Sequence, residues 1–136
     1  MAKLVLTDVV TTIGGVDYSA NINQVEINVS ADSVETTAFG SSWRSEVSGL
    51  KQGTFTVSFH NDYAASAIDG ALWALFGTLA TVTVKPAGTA VSASNPAFSF
   101  VCNINNLTPV AGAVGDLASQ NLTWAISGPV SRSTAA

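Results

Sequence analysis

The residues best suited to chemistry cluster around the single histidine of the chain, His60. Ser58, Asn61 and Asp62 stand within two positions of it and supply the residue types of a Ser-His-Asp set. Such a set is defined by geometry across a fold rather than by neighbours along one strand end. Polar residues that lead from a strand into a helix start explain the cluster better, so we predict no catalytic residue here.

Other chemical functions find equally little support in the residues. Asp32 and Glu35 are too few for a calcium loop, and one histidine with one cysteine cannot form a zinc site. Cys102 shares a predicted strand face with apolar residues, which favours a buried thiol. Gly14 and Gly15 lack the lysine and the following helix of a phosphate-binding loop, and they predict a hairpin turn instead. We therefore expect no enzyme, no metal site and no cofactor.

The composition is poor in charge. Only 10% of the 136 residues are charged, five Lys or Arg and nine Asp or Glu, whereas about 25% is typical of soluble domains. The net charge of −4 argues against direct binding of nucleic acid, which requires Lys and Arg side chains to neutralise phosphates. No apolar stretch reaches the length of a membrane span or a secretory signal, which predicts synthesis in the cytoplasm. A surface so weakly charged favours association with copies of itself.

Three segments alternate between apolar and polar residues and predict half-buried strands. They are residues 23–31, 54–59 and 121–127. The first two carry polar rows, formed by Glu26, Asn28, Ser30, Thr54, Thr56 and Ser58. The pattern predicts one domain over residues 1–136 that is mainly β with one α-helix. We expect an antiparallel β-sandwich or partly open barrel flanked by the helix.

The segments without alternation predict the rest of the chain. Residues 32–53 hold three glycines and many serines, which favours a long loop or an excursion hairpin. Apolar residues recur at spacings of three and four and predict a helix over about 62–77, capped by Asn61 or Asp62 and ended at Gly77. The apolar stripe of this helix is predicted to consist of Ala65, Ile68, Leu72, Leu75 and Phe76. Residues 128–136 are expected to form a frayed tail or an arm that orders on a neighbour. Trp43 in the long loop either folds back over the sheet or anchors a contact between subunits.

Several of these segments resemble the major tail (tail tube) proteins of long-tailed bacteriophages. The likeness begins with Val34 to Gly40 (VETTAFG), followed by Gly49-Leu50-Lys51 and the alternating run 55–59. It continues in the helix ending LWALFG at residues 72–77, in Asn95-Pro96 and in the segment GAVGDL at 112–117. It covers roughly Val10 to Val130 and rests on the order and spacing of structural signatures.

The resemblance implies a structural subunit of the virion tail, made in the host bacterial cytoplasm. Such subunits form hexameric rings by sheet-to-sheet pairing, and the rings stack into a hollow tube through which DNA passes without specific binding. Partners would be further copies of the chain and other tail proteins, with no membrane. The loop residues Phe39, Trp43, Arg44 and Glu46 become candidates for ring stacking, and the two polar rows become candidates for the wall of the lumen.

Two alternatives remain open at this stage. Capsid decoration or cement proteins of phage heads share small β-rich folds, and they would bind a head lattice rather than form tubes. A carbohydrate- or protein-binding β module would need a concave aromatic platform, for which Trp43, Trp73 and Trp124 are too dispersed along the predicted elements.

Overall fold

The computed structural model describes residues 5–64 and 67–134, which form an antiparallel β fold with one short helix. The elements are β1 (Val10–Ile13), β2 (Val16–Asp17), β3 (Ile22–Glu35), β4 (Glu46–His60), α1 (Ile68–Leu75), β5 (Leu79–Lys85), β6 (Ala97–Asn103), β7 (Ser119–Ile126) and β8 (Ser131–Ser133). The strand order is β2-β1-β5-β6-β7-β4-β3, and β8 pairs with β6. The predicted fold class, mainly β with a single helix, is confirmed.

The sheet curls so that alternate residues of its strands meet in one core. The rings of Phe55 on β4 and Phe100 on β6 have centroids 5.3 Å apart, although β7 lies between these strands in the sheet order. Strands two places apart in a flat sheet are separated by about 9.5 Å, so the sheet must bend at β7. Trp124 on β7 is fully buried beside Phe55, and its indole Nε1 donates to the carbonyl of Asn106 at 2.9 Å.

The helix covers this core with Ile68 and Leu72 but is shorter than the predicted span of 62–77. Its N-cap is Ala67, which makes no side-chain capping bond. The carboxylate of Asp62 accepts from the backbone N–H of Ala64 at 3.0 Å instead, which orders the chain ahead of the helix. Polar side chains before an apolar stripe can form such local turns as readily as helix caps. The predicted stripe member Ala65 lies outside the described residues.

The predicted end of the helix is confirmed at Gly77. Its φ of +82° is the left-handed conformation that favours glycine after a helix. Its N–H donates to the carbonyl of Ile104 at 2.7 Å and so ties the helix end to the segment after β6. Phe76, expected on the buried stripe, is instead 49% exposed and stacks on Trp73 with ring centroids 5.9 Å apart.

Of the two alternatives predicted for residues 32–53, the excursion hairpin is confirmed and the long loop is wrong. β3 continues to Glu35 and β4 begins at Glu46, so residues 36–45 connect them. Both faces of this part are exposed, and without a buried face the sequence needs no alternation. The glycines permit close packing in the ladder, since a Cβ at Gly49 would lie 3.2 Å from Cγ2 of Val34. Glycine within a strand often marks such close approach.

The predicted tail over 128–136 also differs from the structure. After β7 the chain turns at Gly128, whose φ is +99°, and continues along the same edge of β6. Ser131 to Ser133 pair with Ser99 to Ala97 in antiparallel register. Residues 131–133 therefore form a short strand on their own sheet, where the sequence predicted a frayed tail or an arm that orders on a neighbour. Residues 135–136 lie outside the described residues.

Candidate assembly surfaces

The two predicted polar rows lie on one face of the sheet. The register sets Glu26 opposite Thr56 and Asn28 opposite Thr54, and residues directly opposite in an antiparallel pair share a face. Ser30 is paired with Gln52, and Ser58 with Gln24. The structure therefore brings all six predicted residues together.

The polar face is wider than the sequence predicted, because β7 pairs with β4 on its other side. Thr56 lies opposite Thr123 and Ser58 opposite Asn121. The hydroxyl oxygens of Thr56 and Thr123 are 3.1 Å apart. Alternation in residues 121–127 already indicated that these side chains point away from the core. What the sequence did not show was that β7 would adjoin β4.

The polar face, as we call it below, consists of eleven residues on β3, β4 and β7. They are Gln24, Glu26, Asn28, Ser30, Gln52, Thr54, Thr56, Ser58, Asn121, Thr123 and Ala125. Glu26 is the charged residue among them, and the others carry hydroxyl, amide or methyl groups. The face is therefore hydrogen-bonding but nearly neutral.

The second surface is a hairpin that extends beyond the body of the fold. β7 pairs with β4 from Gly53 onward, so among the described strands β3 alone pairs with residues 46–52 of β4. We call residues 30–52 the arm and residues 36–45 its tip. Seven residues of strand correspond to a projection of about 24 Å.

The tip is ordered by its own hydrogen bonds. The N–H of Thr36 donates to the carbonyl of Ser45 at 2.8 Å, and the hydroxyl groups of the same two residues are also 2.8 Å apart. The N–H of Ser45 donates to the hydroxyl of Thr37 at 2.8 Å. Because these hydrogen bonds already order the backbone of the tip, binding through the tip costs little further loss of backbone entropy.

The predicted stacking residues sit on this tip or at its base. Phe39 is fully exposed and Trp43 is 85% exposed, so the alternative in which Trp43 folds back over the sheet is wrong. Arg44 is exposed beside it, and Glu46 opens β4 directly opposite Glu35. The structure thus places all four candidates within one projecting element.

Two further groups of apolar side chains are exposed, and neither was predicted from the sequence as a surface. Trp73 and Phe76 stack on each other at the end of α1, and both are exposed. Val110, Val114 and Leu117 are exposed on the loop between β6 and β7. Contiguous exposed apolar patches mark interaction sites when they are large.

The residues around His60 have separate structural partners. The amide of Asn61 donates to the carbonyl of Pro109 at 3.0 Å, and Asp62 serves the turn at Ala64. Nδ1 of His60 is buried without a hydrogen-bond partner among the described residues. Cys102 is fully buried, and burial raises the pKa of its thiol from 9.0 to about 12.

Residues 5–64 and 67–134 contain no group of three or more His, Cys, Asp or Glu side chains placed to hold a metal ion. Within the same residues, no helix has the length and apolar character needed to cross a membrane.

Comparison with solved structures identifies the fold. A chain in the virion of a native gene transfer agent particle superimposes with a TM-score of 0.67 over 84% of this chain and 85% of its own length. This protein therefore has the same fold as that chain of the virion. A chain in the tail of an empty gene transfer agent particle, refined with C6 helical symmetry, gives a TM-score of 0.62 over 82% of this chain and 81% of its own. Both are 19% identical in sequence to this chain.

No protein-family model and no curated protein sequence matches the chain. At 19% identity the structural likeness concerns the fold, and function must be argued from the surfaces that this fold presents.

Proposed function

We propose that this chain is the tail-tube subunit of a phage-like particle, with a structural rather than catalytic role. In this proposal it assembles into stacked six-membered rings around a channel for DNA. The observation that carries the proposal is the shared fold with a chain of a C6-symmetric tail. The resemblance of the sequence to phage tail-tube proteins is a second support for the proposal. That resemblance depends on the order of residues in the sequence and is therefore independent of the superposition of structures.

An open sheet edge supports assembly into rings. β3 is 14 residues long and stands at the end of the strand order, paired with β4 on one side. Within residues 5–64 and 67–134 no strand pairs with the other side of β3, which leaves backbone N–H and C=O groups there. The sequence of β3 contains no proline to block pairing. A long free edge is an aggregation hazard in a monomer. Pairing with the next copy in a closed ring removes the hazard and makes the sheet continuous between subunits.

The polar face is suited to line the channel. Hydroxyl and amide groups wet the wall, and Glu26 adds one carboxylate per subunit. A neutral to acidic wall does not attract phosphate, so DNA slides past without being held. A wall rich in lysine would bind the passing DNA and slow it.

The arm is suited to join one ring to the next. Phe39 and Trp43 are large, exposed and held on an ordered tip, and aromatic residues of this kind dominate binding energy at protein interfaces. Arg44 and Glu46 lie beside them and supply charge that can set the register of the contact.

Electron microscopy of the purified protein tests the proposal. After concentration, negative-stain images should show hollow tubes built from six-fold rings. Binding to a phage head lattice without tube formation would favour a decoration protein and contradict the proposal, as would a particle that stays monomeric with or without a tail-tip nucleator.

The channel assignment has a separate test. Thr54→Lys adds a cation to the polar face at an exposed position, and Thr81→Lys adds the same charge at an exposed position on β5. We expect tubes of the first variant, but not of the second, to retain DNA when sedimented with it at low salt. Equal retention by both variants would remove the polar face from the channel wall.

A further inference from the structure

An apolar groove lies between the base of the arm and the strand pair β6–β8. Its volume is about 990 Å³, and its walls include Ile27, Val29, Phe98, Ile126 and Val130. An aromatic side chain buries about 150–250 Å² of surface when it packs against apolar walls of this kind. The groove therefore offers a receptor of the kind that an exposed aromatic anchor requires.

The groove also carries a defined charge. Lys51 and Arg132 are the ionised residues that line it, and they are two of only five Lys or Arg in a chain of net charge −4. The guanidinium of Arg132 lies 6.0 Å from the centroid of the Phe98 ring. Positive charge is thus concentrated around apolar walls, which favours an acidic segment with apolar anchors.

The tip of the arm has the complementary chemistry. Phe39 and Trp43 are exposed anchors, and Glu35 and Glu46 flank them as a directly opposed pair. Like charges directly opposite each other destabilise a strand pair, and a cation from outside relieves that repulsion. Arg44 offsets one of the two carboxylates, so the tip and its base remain net negative.

The tip cannot enter the groove of its own chain. Glu46 and Lys51 lie five positions apart on β4, which amounts to about 17 Å of extended strand. Because β3 pairs with β4 on both sides of a register shift between Ala31 and Ser33, the tip is held away from the groove at the base. The exposure of Trp43 agrees with this. A second copy must therefore supply any tip that fills the groove.

We propose that the groove receives the tip of a second copy of this chain. The aromatic anchors of the tip pack on the apolar walls, and Glu35 and Glu46 face Lys51 and Arg132. The contact joins two different surfaces, so each copy can bind one neighbour through its tip and another through its groove, which lets the contact extend from copy to copy. This inference rests on the proposed function and names the partner surface of the stacking tip.

Charge reversal tests the pairing. E35K/E46K reverses the tip, and K51E/R132E reverses the groove. All four side chains are exposed, so circular dichroism and thermal unfolding should match the wild type. Each variant alone should need at least a tenfold higher concentration to form sedimentable tubes, because every contact would then oppose like charges.

An equimolar mixture of the two variants gives the decisive measurement. A reversed tip meets a reversed groove in one contact, and a native tip meets a native groove in the next, so an equimolar mixture should assemble near the wild-type concentration. The control K85E changes a cation outside the groove and should leave assembly unchanged.

The outcomes separate the two proposals. If the wild type forms tubes but the variants assemble normally alone, or the mixture does not recover, the groove is not the receptor while the tube function stands. If the wild type forms no tubes at all, the proposed function fails and this inference fails with it.

Discussion

Removal of the Trp43 side chain should separate folding from assembly. The indole is 85% exposed in the single chain, so Trp43→Ala should change the free energy of unfolding by no more than about 0.5 kcal/mol. In a contact between subunits the same side chain would bury about 150–250 Å², equivalent to roughly 4–6 kcal/mol of transfer free energy. Ordering and imperfect fit reduce the effect to about 2–4 kcal/mol per contact. That loss would raise the concentration needed for tubes by about 30- to 1,000-fold.

Sedimentation of tubes over a concentration series, together with urea unfolding of the unassembled chain, measures both quantities. Trp43→Phe keeps an aromatic anchor and should recover most of the assembly. Trp124→Ala is the converse control, since Trp124 is fully buried in the core and its loss should cost about 3–5 kcal/mol of folding stability. Normal tube formation by Trp43→Ala would refute the assignment of the tip as an assembly contact.

Three further predictions concern the fold itself. Asn95→Ala should lower the free energy of unfolding, measured by urea titration, by about 2–4 kcal/mol. The reason is that the buried amide donates to the carbonyls of Ala87 at 3.1 Å and Thr89 at 2.9 Å. An unchanged urea midpoint of unfolding would contradict this. Gly53→Ala should cost about 1–3 kcal/mol, since its Cβ would lie 3.1 Å from Cδ1 of Ile126, and a stable variant would show that the ladder gives way there. Cys102 has a pKa raised from 9.0 to about 12, so the folded state holds its proton where the unfolded chain releases it. Wild-type stability should therefore fall relative to Cys102→Val as pH rises above about 9, by at most about 1.4 kcal/mol per pH unit, and parallel pH curves would refute the assigned shift.

The sequence predicted those elements whose one face is buried. Residues 54–59 and 121–127 alternate because Phe55 and Trp124 must face the core while Thr56 and Thr123 face outward. Burial on one side imposes the period of two that makes a strand visible in the sequence. The two polar rows could be predicted for the same reason, although their common face required the pairing of β3 with β4.

Elements without a buried face could not be predicted from alternation between apolar and polar residues. The arm is exposed on both sides, so its glycines and serines left a loop and an excursion hairpin open. Val34 and Val47 are in fact paired, beyond a register shift between Ala31 and Ser33. The helix was overestimated because apolar spacing extends past the ends at which the backbone turns, and Phe76 belongs to the spacing but not to the core. The groove joins residues that lie up to about a hundred positions apart in the chain, so only the pairing and bending of the folded sheet bring them together.

A cryo-electron microscopy reconstruction of the concentrated protein tests the central claim most directly. We predict a hollow tube of stacked six-fold rings, with the polar face on the channel wall and β3 paired to the neighbouring subunit. A protein that remains a monomer at every concentration, or a tube in which the polar face lies on the outside, would contradict it.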